Sequence, residues 1–248
     1  MSQFKPSLET LESRDVPSAS IGAEGTLIVH GTDQADIIRV YVPGDQTGKV
    51  AVAQTTAGVQ TTQLFDKSAV SNIVIRGQNG NDTIRNGTSF KSLILGGNGA
   101  DTIWGGSNTD FVFGGAGNDR LFGAAGNDFL DGGLGDDELW GMDGIDTLLG
   151  RLGNDTLKGG AGNDRLVGGE GSDKLEGGTG YDWIIGTNNG DSIVGGLRED
   201  VIRPGLNRDA LANRFRDQLL QEGETFDSLK GQPKLFFARA MFALQRPM

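Results

Sequence analysis

The hydrophobic pattern of this chain repeats every nine residues between positions 96 and 203. One aliphatic residue occupies the eighth position of each of twelve consecutive units: Ile103, Val112, Leu121, Leu130, Leu139, Leu148, Leu157, Leu166, Leu175, Ile184, Ile193 and Ile202. Each unit is predicted to form a turn followed by a short strand that points its aliphatic side chain inward. Because one strand cannot bury its apolar residue alone, we expect the units to stack into a continuous core.

The polar positions of these units are equally regular. Aspartate occupies the sixth position of all twelve units, and glycine occupies the first position of all twelve, the second of eight and the fourth of nine. We expect a tight loop in which these glycines adopt positive φ without steric cost. The exceptions at the fourth position are Asn108, Asn189 and Arg198; asparagine tolerates this conformation better than arginine does.

The pattern G-G-x-G-x-D-x-U-x, with U aliphatic, resembles the hemolysin-type (RTX) calcium-binding repeat family. The resemblance covers 108 of the 248 residues and is highly specific. It implies an all-β chain with a right-handed parallel β-roll, in which two nonapeptides form one turn. The twelve repeats would then form six turns.

Two nonapeptides per turn would align alternate aspartates in two columns, with roughly 4.8 Å between successive strands. Like charges at this spacing repel, and a hard divalent cation between turns removes the repulsion. Calcium takes about six to eight oxygen ligands, which carboxylates and loop carbonyls supply. With no Cys and His30 as the only imidazole, zinc and copper sites are disfavoured. The alternative is a metal-free solenoid whose aspartates only close Asx turns.

The predicted calcium ligands fall into three groups. One column contains Asp82, Asp101, Asp119, Asp137, Asp155, Asp173 and Asp191. The other contains Asp110, Asp128, Asp146, Asp164, Asp182 and Asp200. The loop glycines predicted to contribute to the sites are Gly97, Gly99, Gly115, Gly117, Gly133, Gly135, Gly160, Gly162, Gly169, Gly171, Gly178 and Gly180.

The regions before the array differ in character. Residues 1–25 include Leu-Glu-Thr-Leu-Glu-Ser-Arg-Asp-Val-Pro-Ser, which resembles a short element at the start of some large bacterial exported proteins, and we expect them to be disordered. Residues 26–95 are rich in β-branched residues and are predicted to form degenerate opening turns with a protruding hairpin between about 43 and 69. Asp82 should extend the first column, and Ser92 should end the second.

Residues 204–248 break the repeat at Pro204-Gly205 and are predicted to be helical. Asn207 is a plausible N-cap, and Leu211, Phe215 and Leu219 would share one helix face. A second helix is expected from about Pro233. These helices would cap the roll or act as an uncleaved C-terminal secretion signal, and the two roles are compatible.

The outward positions of the roll predict one apolar face, which includes Phe111, Phe129 and Trp183. Such a face is too apolar to be left in water over several strands. We expect the C-terminal helices to bury it, with a protein or surface partner, or self-association, as the alternative.

Charge and composition narrow the function. The net charge is −11, and residues 96–203 contain 19 acidic and 7 basic residues, so the array disfavours nucleic acid and anionic membranes as partners. No run of 18 apolar residues predicts a membrane span, and residues 1–25 lack the apolar core of a cleaved signal peptide. Together with these absences, the resemblance to the RTX family implies a chain that is secreted or at the cell surface, without a cleaved signal.

Two functions compete at this stage. The first is a calcium-binding extracellular structural or binding module that folds on a column of ions. The second is an accessory calcium-binding fragment of a secreted enzyme or a hemolysin-like toxin. The chain contains no H-E-x-x-H or G-x-S-x-G motif, and no segment outside the repeats is large enough for a catalytic domain, so we predict no enzymatic activity.

Overall fold

A computed structural model describes residues 16–187, 190–197, 199–203, 210–211 and 218–219. Before the array, the strands are β1 (Ser18–Ile21), β2 (Thr26–His30), β3 (Asp36–Tyr41), β4 (Lys49–Thr56), β5 (Val59–Asp66), β6 (Asn72–Asn79), β7 (Thr83–Gly87) and β8 (Ser92–Asn98). Single 3-10 turns lie at Ala23–Gly25 and Lys67–Ala69.

The array contributes one strand per repeat. These strands are β9 (Thr102–Trp104), β10 (Asp110–Ala116), β11 (Arg120–Ala125), β12 (Phe129–Leu134), β13 (Glu138–Asp143), β14 (Thr147–Leu152), β15 (Thr156–Ala161), β16 (Arg165–Glu170), β17 (Lys174–Thr179), β18 (Trp183–Thr187), β19 (Ser192–Leu197) and β20 (Val201–Arg203). Two short strands follow, β21 (Ala210–Leu211) and β22 (Gln218–Leu219).

The strands form two eleven-stranded sheets between which the chain alternates. Sheet A has the order β1-β2-β6-β8-β10-β12-β14-β16-β18-β20-β22, and sheet B has the order β21-β19-β17-β15-β13-β11-β9-β7-β3-β4-β5. Within the array all pairing is parallel, and each residue pairs with the one 18 positions later, as Leu121 does with Leu139. Two nonapeptides therefore form one turn, which confirms the predicted parallel β-roll.

The core lies between the two sheets and consists of the repeated aliphatic positions. All twelve of these side chains are buried, with exposed fractions of 0–1%. They continue into Ile84 and Ile94 and then into the aliphatic residues of β2, β3 and β6. The nine-residue hydrophobic period thus predicted the core of the array directly.

The loops require glycine for two different reasons. At the second and fourth positions of most repeats φ is positive, as at Gly115 (117°) and Gly117 (129°), and a β carbon at Gly117 would overlap the carbonyl oxygen of Gly99. First-position glycines do not have positive φ, contrary to the sequence interpretation. They are needed because a β carbon at Gly114 would overlap the Asp119 carboxylate of its own repeat.

The predicted hairpin exists, but it continues a sheet instead of protruding. β4 pairs antiparallel with both β3 and β5, so the hairpin forms the edge of sheet B. Residues 50–54 of β4 are all buried, and the Gln54 amide donates to the carbonyl oxygen of His30 in sheet A at 2.8 Å. The first end of the roll is therefore closed by a strand that contacts both sheets.

At the other end, the helix predicted from Asn207 is not shown by the four residues that the structure describes in that segment, which form strands. Leu211 pairs with Ile193 in sheet B, and Leu219 pairs with Ile202 in sheet A. These short strands continue both sheets because the chain keeps close to nine-residue spacing beyond Ile202. The second predicted helix and the element at 1–15 lie outside the described residues. Within the described part of the chain, no helix is long and apolar enough to cross a membrane.

Candidate metal centre: two buried aspartate columns

The repeated aspartates lie where each loop enters its strand. Asp101 directly precedes β9 in sheet B, and Asp110 begins β10 in sheet A. Because the chain alternates between sheets, one column follows the edge of sheet B and the other follows the edge of sheet A. All thirteen predicted aspartate ligands are buried, with exposed fractions of 0–2%. Burial of so many carboxylates is costly unless each is hydrogen-bonded or paired with a cation.

One oxygen of each carboxylate is held by the protein backbone. The N–H of Asp101 donates to Oδ1 of Asp119 at 2.7 Å, and the N–H of Asp119 donates to Oδ1 of Asp137 at 2.7 Å. The same bond recurs between successive turns in both columns, from Asp82 to Asp191 and from Asp110 to Asp200, at 2.7–2.9 Å. This ladder fixes the carboxylates in register, and sequence reasoning did not predict it.

The other oxygen, Oδ2, has no hydrogen-bond donor along most of both columns. This holds for Asp82, Asp101, Asp119, Asp128, Asp137, Asp146, Asp155, Asp164 and Asp173. A buried carboxylate oxygen without a partner costs more than a hydrogen bond contributes, and its recurrence at equivalent positions indicates a ligand. A hard cation that binds oxygen fits this pattern.

Backbone carbonyl oxygens approach the same region. A β carbon on Gly114 would overlap Oδ2 of Asp119 and would lie 2.7 Å from the carbonyl oxygen of Gly132, one turn later. A carboxylate oxygen and a carbonyl oxygen of successive turns therefore converge beside one glycine. Among the described residues, no three acidic or imidazole side chains form a metal cluster. Sites in this roll would thus combine carboxylates with backbone carbonyls.

The predicted loop glycines stack in the same way. A β carbon on Gly115 would overlap the carbonyl oxygen of Gly97, and one on Gly135 would overlap that of Gly117. Carbonyls at the second and fourth positions thus point at the glycines of the following turn. Gly133, Gly160, Gly169 and Gly178 continue the second-position series, and Gly99, Gly162, Gly171 and Gly180 continue the fourth-position series.

Burial also changes the acidity of the columns. Desolvation raises the pKa to about 7 in one group of carboxylates: Asp101, Asp128, Asp137 and Asp164. It raises the pKa to about 6 in another group: Asp82, Asp119, Asp155 and Asp173. Backbone hydrogen bonds oppose the rise, whereas neighbouring carboxylates add to it in most of the eight. At neutral pH the metal-free columns would therefore hold negative charge at an energetic cost that a cation would offset.

Two aspartates at the first ends of the columns are bound differently. Both oxygens of Asp110 accept hydrogen bonds, from Ser92 and from the N–H of Gly106. Ser92 lies one turn before Asp110, where another aspartate would continue the column, so the column ends there as predicted. Asp36 extends the first column beyond Asp82, because its N–H donates to Oδ1 of Asp82 at 2.7 Å. Sequence reasoning predicted degenerate opening turns over residues 26–95 but did not assign a site to Asp36.

Comparison with protein-family models agrees with this geometry. A model described as RTX calcium-binding nonapeptide repeat, which spans four copies, matches residues 86–121, 104–139, 113–148, 140–175 and 167–202. No curated protein matches the chain.

Proposed function

We propose that the chain, whose residues 86–202 match the RTX calcium-binding nonapeptide repeat, is an extracellular structural or binding module whose roll folds as its aspartate columns bind calcium. The RTX roll is a structural calcium-binding fold. The observation that carries the proposal is the Oδ2 atom without a donor, repeated in nine described carboxylates whose Oδ1 atoms are held by the backbone.

The residues divide the task of holding calcium. The column aspartates of the array other than Asp110, together with Asp82, would supply carboxylate oxygens, whereas both oxygens of Asp110 are already held by protein donors. The loops with glycine at the second and fourth positions would supply carbonyl oxygens. Calcium would compensate the negative charge of the buried carboxylates, whose pKa values are raised because that charge is costly to bury. The backbone ladder to Oδ1 would orient each carboxylate so that Oδ2 lies near a first-position carbonyl of the next turn, as Oδ2 of Asp119 and the carbonyl of Gly132 converge beside Gly114.

The place of action follows from the expected affinity. Calcium sites of extracellular modules have dissociation constants on the order of 10⁻⁴–10⁻³ M, far weaker than those of cytosolic sensors. A roll that needs many such ions would remain incompletely folded where calcium is scarce and would fold after export. We therefore propose that the folded form works outside the cell or at its surface.

The outer face of sheet A is the proposed contact surface. Phe111 and Trp183 are 49% and 42% exposed, and the ring of Phe129 lies 6.1 Å from that of Phe111. Asp131, a buried carboxylate on this face, is paired with the guanidinium of Arg151 at 2.6 Å. The last described strand, β22, lies at the end of sheet A. We therefore propose that the following residues, 220–248, cover the outer face of this sheet in the same molecule.

A calcium titration of the full chain tests the proposed function. Far-UV circular dichroism should gain β signal as calcium is added, and magnesium should be a poor substitute because it demands smaller, octahedral sites. An Asp137→Asn variant should raise the calcium midpoint, whereas Asp45→Asn, at an exposed turn residue, should not. A spectrum and melting temperature unchanged by calcium removal would contradict the proposal.

A further inference from the structure

Both oxygens of the first carboxylate in each column accept hydrogen bonds from the protein. Oδ2 of Asp36 accepts the N–H of Thr32 at 2.6 Å and the hydroxyl of Thr32 at 3.0 Å. Oδ1 of Asp36 accepts the hydroxyl of Thr56, which belongs to the hairpin strand β4. Both oxygens of this carboxylate are therefore held by donors of the protein.

The second column begins in the same way. Oδ1 of Asp110 accepts the N–H and the hydroxyl of Ser92 at 3.0 and 2.6 Å, and Oδ2 accepts the N–H of Gly106 at 2.5 Å. In both columns, therefore, a hydroxyl side chain binds the first carboxylate where the column would otherwise continue outward with another aspartate. In both, the N–H of the second loop residue binds Oδ2 of its own repeat.

The backbone explains why the following repeats differ. Thr32 and Gly106 occupy the second loop position, and neither has positive φ. In repeats such as those of Gly115 and Gly133, φ at this position is 117° and 109°, and Oδ2 of the corresponding aspartate has no donor. A change in one loop dihedral thus separates carboxylates closed by the protein from carboxylates left open to a ligand.

The end of the roll beside Asp36 is also closed by packing. Strands β1–β6, here called the N-terminal cap (residues 18–79), contain Asp36 but none of the aspartates with an unpartnered Oδ2. Val50 and Val52 of the hairpin pack into the same buried cluster as Leu27, Ile38 and Ile73. The cap thus presents strand edges and an aliphatic surface on which the first repeat can stack.

We propose that the N-terminal cap folds without calcium and is the template from which calcium-dependent folding proceeds toward the C-terminus. Asp36 and Asp110 act as structural acceptors in this scheme, and calcium binding begins at Asp82 in one column and at Asp128 in the other. The proposal rests on the calcium-binding function and specifies how that function is regulated, because the cap holds the start of the roll in register before any ion binds.

Hydrogen exchange of the full chain, followed by mass spectrometry, tests the order of folding. Without calcium, peptides that contain Val50–Ala53 and Ile73–Ile75 should be protected, and peptides from residues 121–193 should exchange at once. On calcium addition, protection should reach Leu130 at lower calcium than Ile184. Cap peptides that exchange as fast as the array, or protection that begins near Ile184, would overturn the proposal. Calcium-independent exchange throughout the array would instead overturn the proposed function.

Matched variants test the closing hydrogen bonds. Thr56→Val removes the hydroxyl donor to Asp36 and should abolish cap protection without calcium, whereas Thr61→Val, at an exposed position of β5, should leave it intact. Retained protection in Thr56→Val would contradict the assigned role of this bond.

The two classes of aspartate are separated by ion counting. Asp110→Asn should leave the number of bound calcium ions unchanged, and Asp128→Asn should lower it, as measured by isothermal titration calorimetry. A lower number in Asp110→Asn, in a variant whose cap remains protected, would show that Asp110 is a ligand and would overturn its assignment as a structural acceptor.

Discussion

Low pH should partly replace calcium in stabilising the folded roll, because the column carboxylates have raised pKa values in the folded state and protonation removes their buried charge. Asp101, Asp128, Asp137 and Asp164 move from 3.8 to about 7, so the folded chain binds more protons than the unfolded chain between about pH 4 and 7. Stability of the metal-free roll is then greatest below pH 4 with respect to these groups, and it falls as the pH rises through 7.

The size of this effect is comparable with the stability of a whole domain. One carboxylate whose pKa rises from 3.8 to about 7 on folding lowers the free energy of unfolding by ~4 kcal/mol between about pH 4 and pH 7. The carboxylates of one column interact electrostatically, so their combined effect on the free energy of unfolding is smaller than the sum of the single-group values. If only two carboxylates hold protons near pH 5.5, stability still falls by ~3 kcal/mol per pH unit. Domains are stable by about 5–15 kcal/mol, so calcium-free neutral solution should unfold much of the array.

The assay is far-UV circular dichroism of the full chain in calcium-depleted buffer between pH 4.5 and 8. β signal should decrease as the pH rises, and added calcium should restore it, at a midpoint that falls from pH 5 to pH 8 as protons stop competing. Asp128→Asn mimics the protonated side chain, so this variant should take up about one proton fewer on folding. The slope of stability against pH should then be smaller by ~1.4 kcal/mol per pH unit. Asp45→Asn is the control. A metal-free signal that is constant, or that grows toward pH 8, would refute the reasoning.

Three further predictions follow from the same geometry. Asp146→Ala, with aspartates one turn away on both sides in its column, should raise the calcium midpoint more than Asp200→Ala near the end, and equal midpoints would argue against stacked sites. Gly117→Ala should destabilise the calcium-loaded protein by ~1–3 kcal/mol because its β carbon meets the Gly99 carbonyl, whereas Ala124→Gly, where φ is already 83°, should be neutral or stabilising in thermal unfolding. Removal of residues 220–248 should increase hydrophobic-dye binding in calcium if they cover the Phe111 and Trp183 face, and a dye-negative monomer of equal stability would show that they do not.

The parts of the fold that repeat could be predicted from the sequence, because the same physical demand recurs in each turn. Leu121 and Leu139 fill equivalent positions in the core, and Asp119 and Asp137 fill equivalent positions in the column. The hydrogen bond from each aspartate N–H to the next carboxylate was not predictable, because it depends on side-chain orientation between turns. The reason for first-position glycine was missed for the same cause, since it lies in the approach of Asp Oδ2 and not in φ.

The ends of the roll could be predicted less well, because competing periodicities overlap there. Leu211 follows Ile202 by nine residues, which is the strand signal, but it also lies four residues before Phe215 and eight before Leu219, which suggested a helix. Pairing of Leu211 with Ile193 shows that the nine-residue period continues. At the first end, the hairpin was visible in the sequence, but its pairing with β3 depends on contacts between distant residues.

Crystallography of the calcium-soaked chain, with anomalous scattering measured at a long wavelength, tests the central claim most directly. The account predicts a row of calcium peaks along each column, beside the Oδ2 atoms of aspartates such as Asp119 and Asp137 in one and Asp146 and Asp164 in the other, with no peak at Asp36. A fully folded roll with no anomalous density beside these oxygens would contradict it.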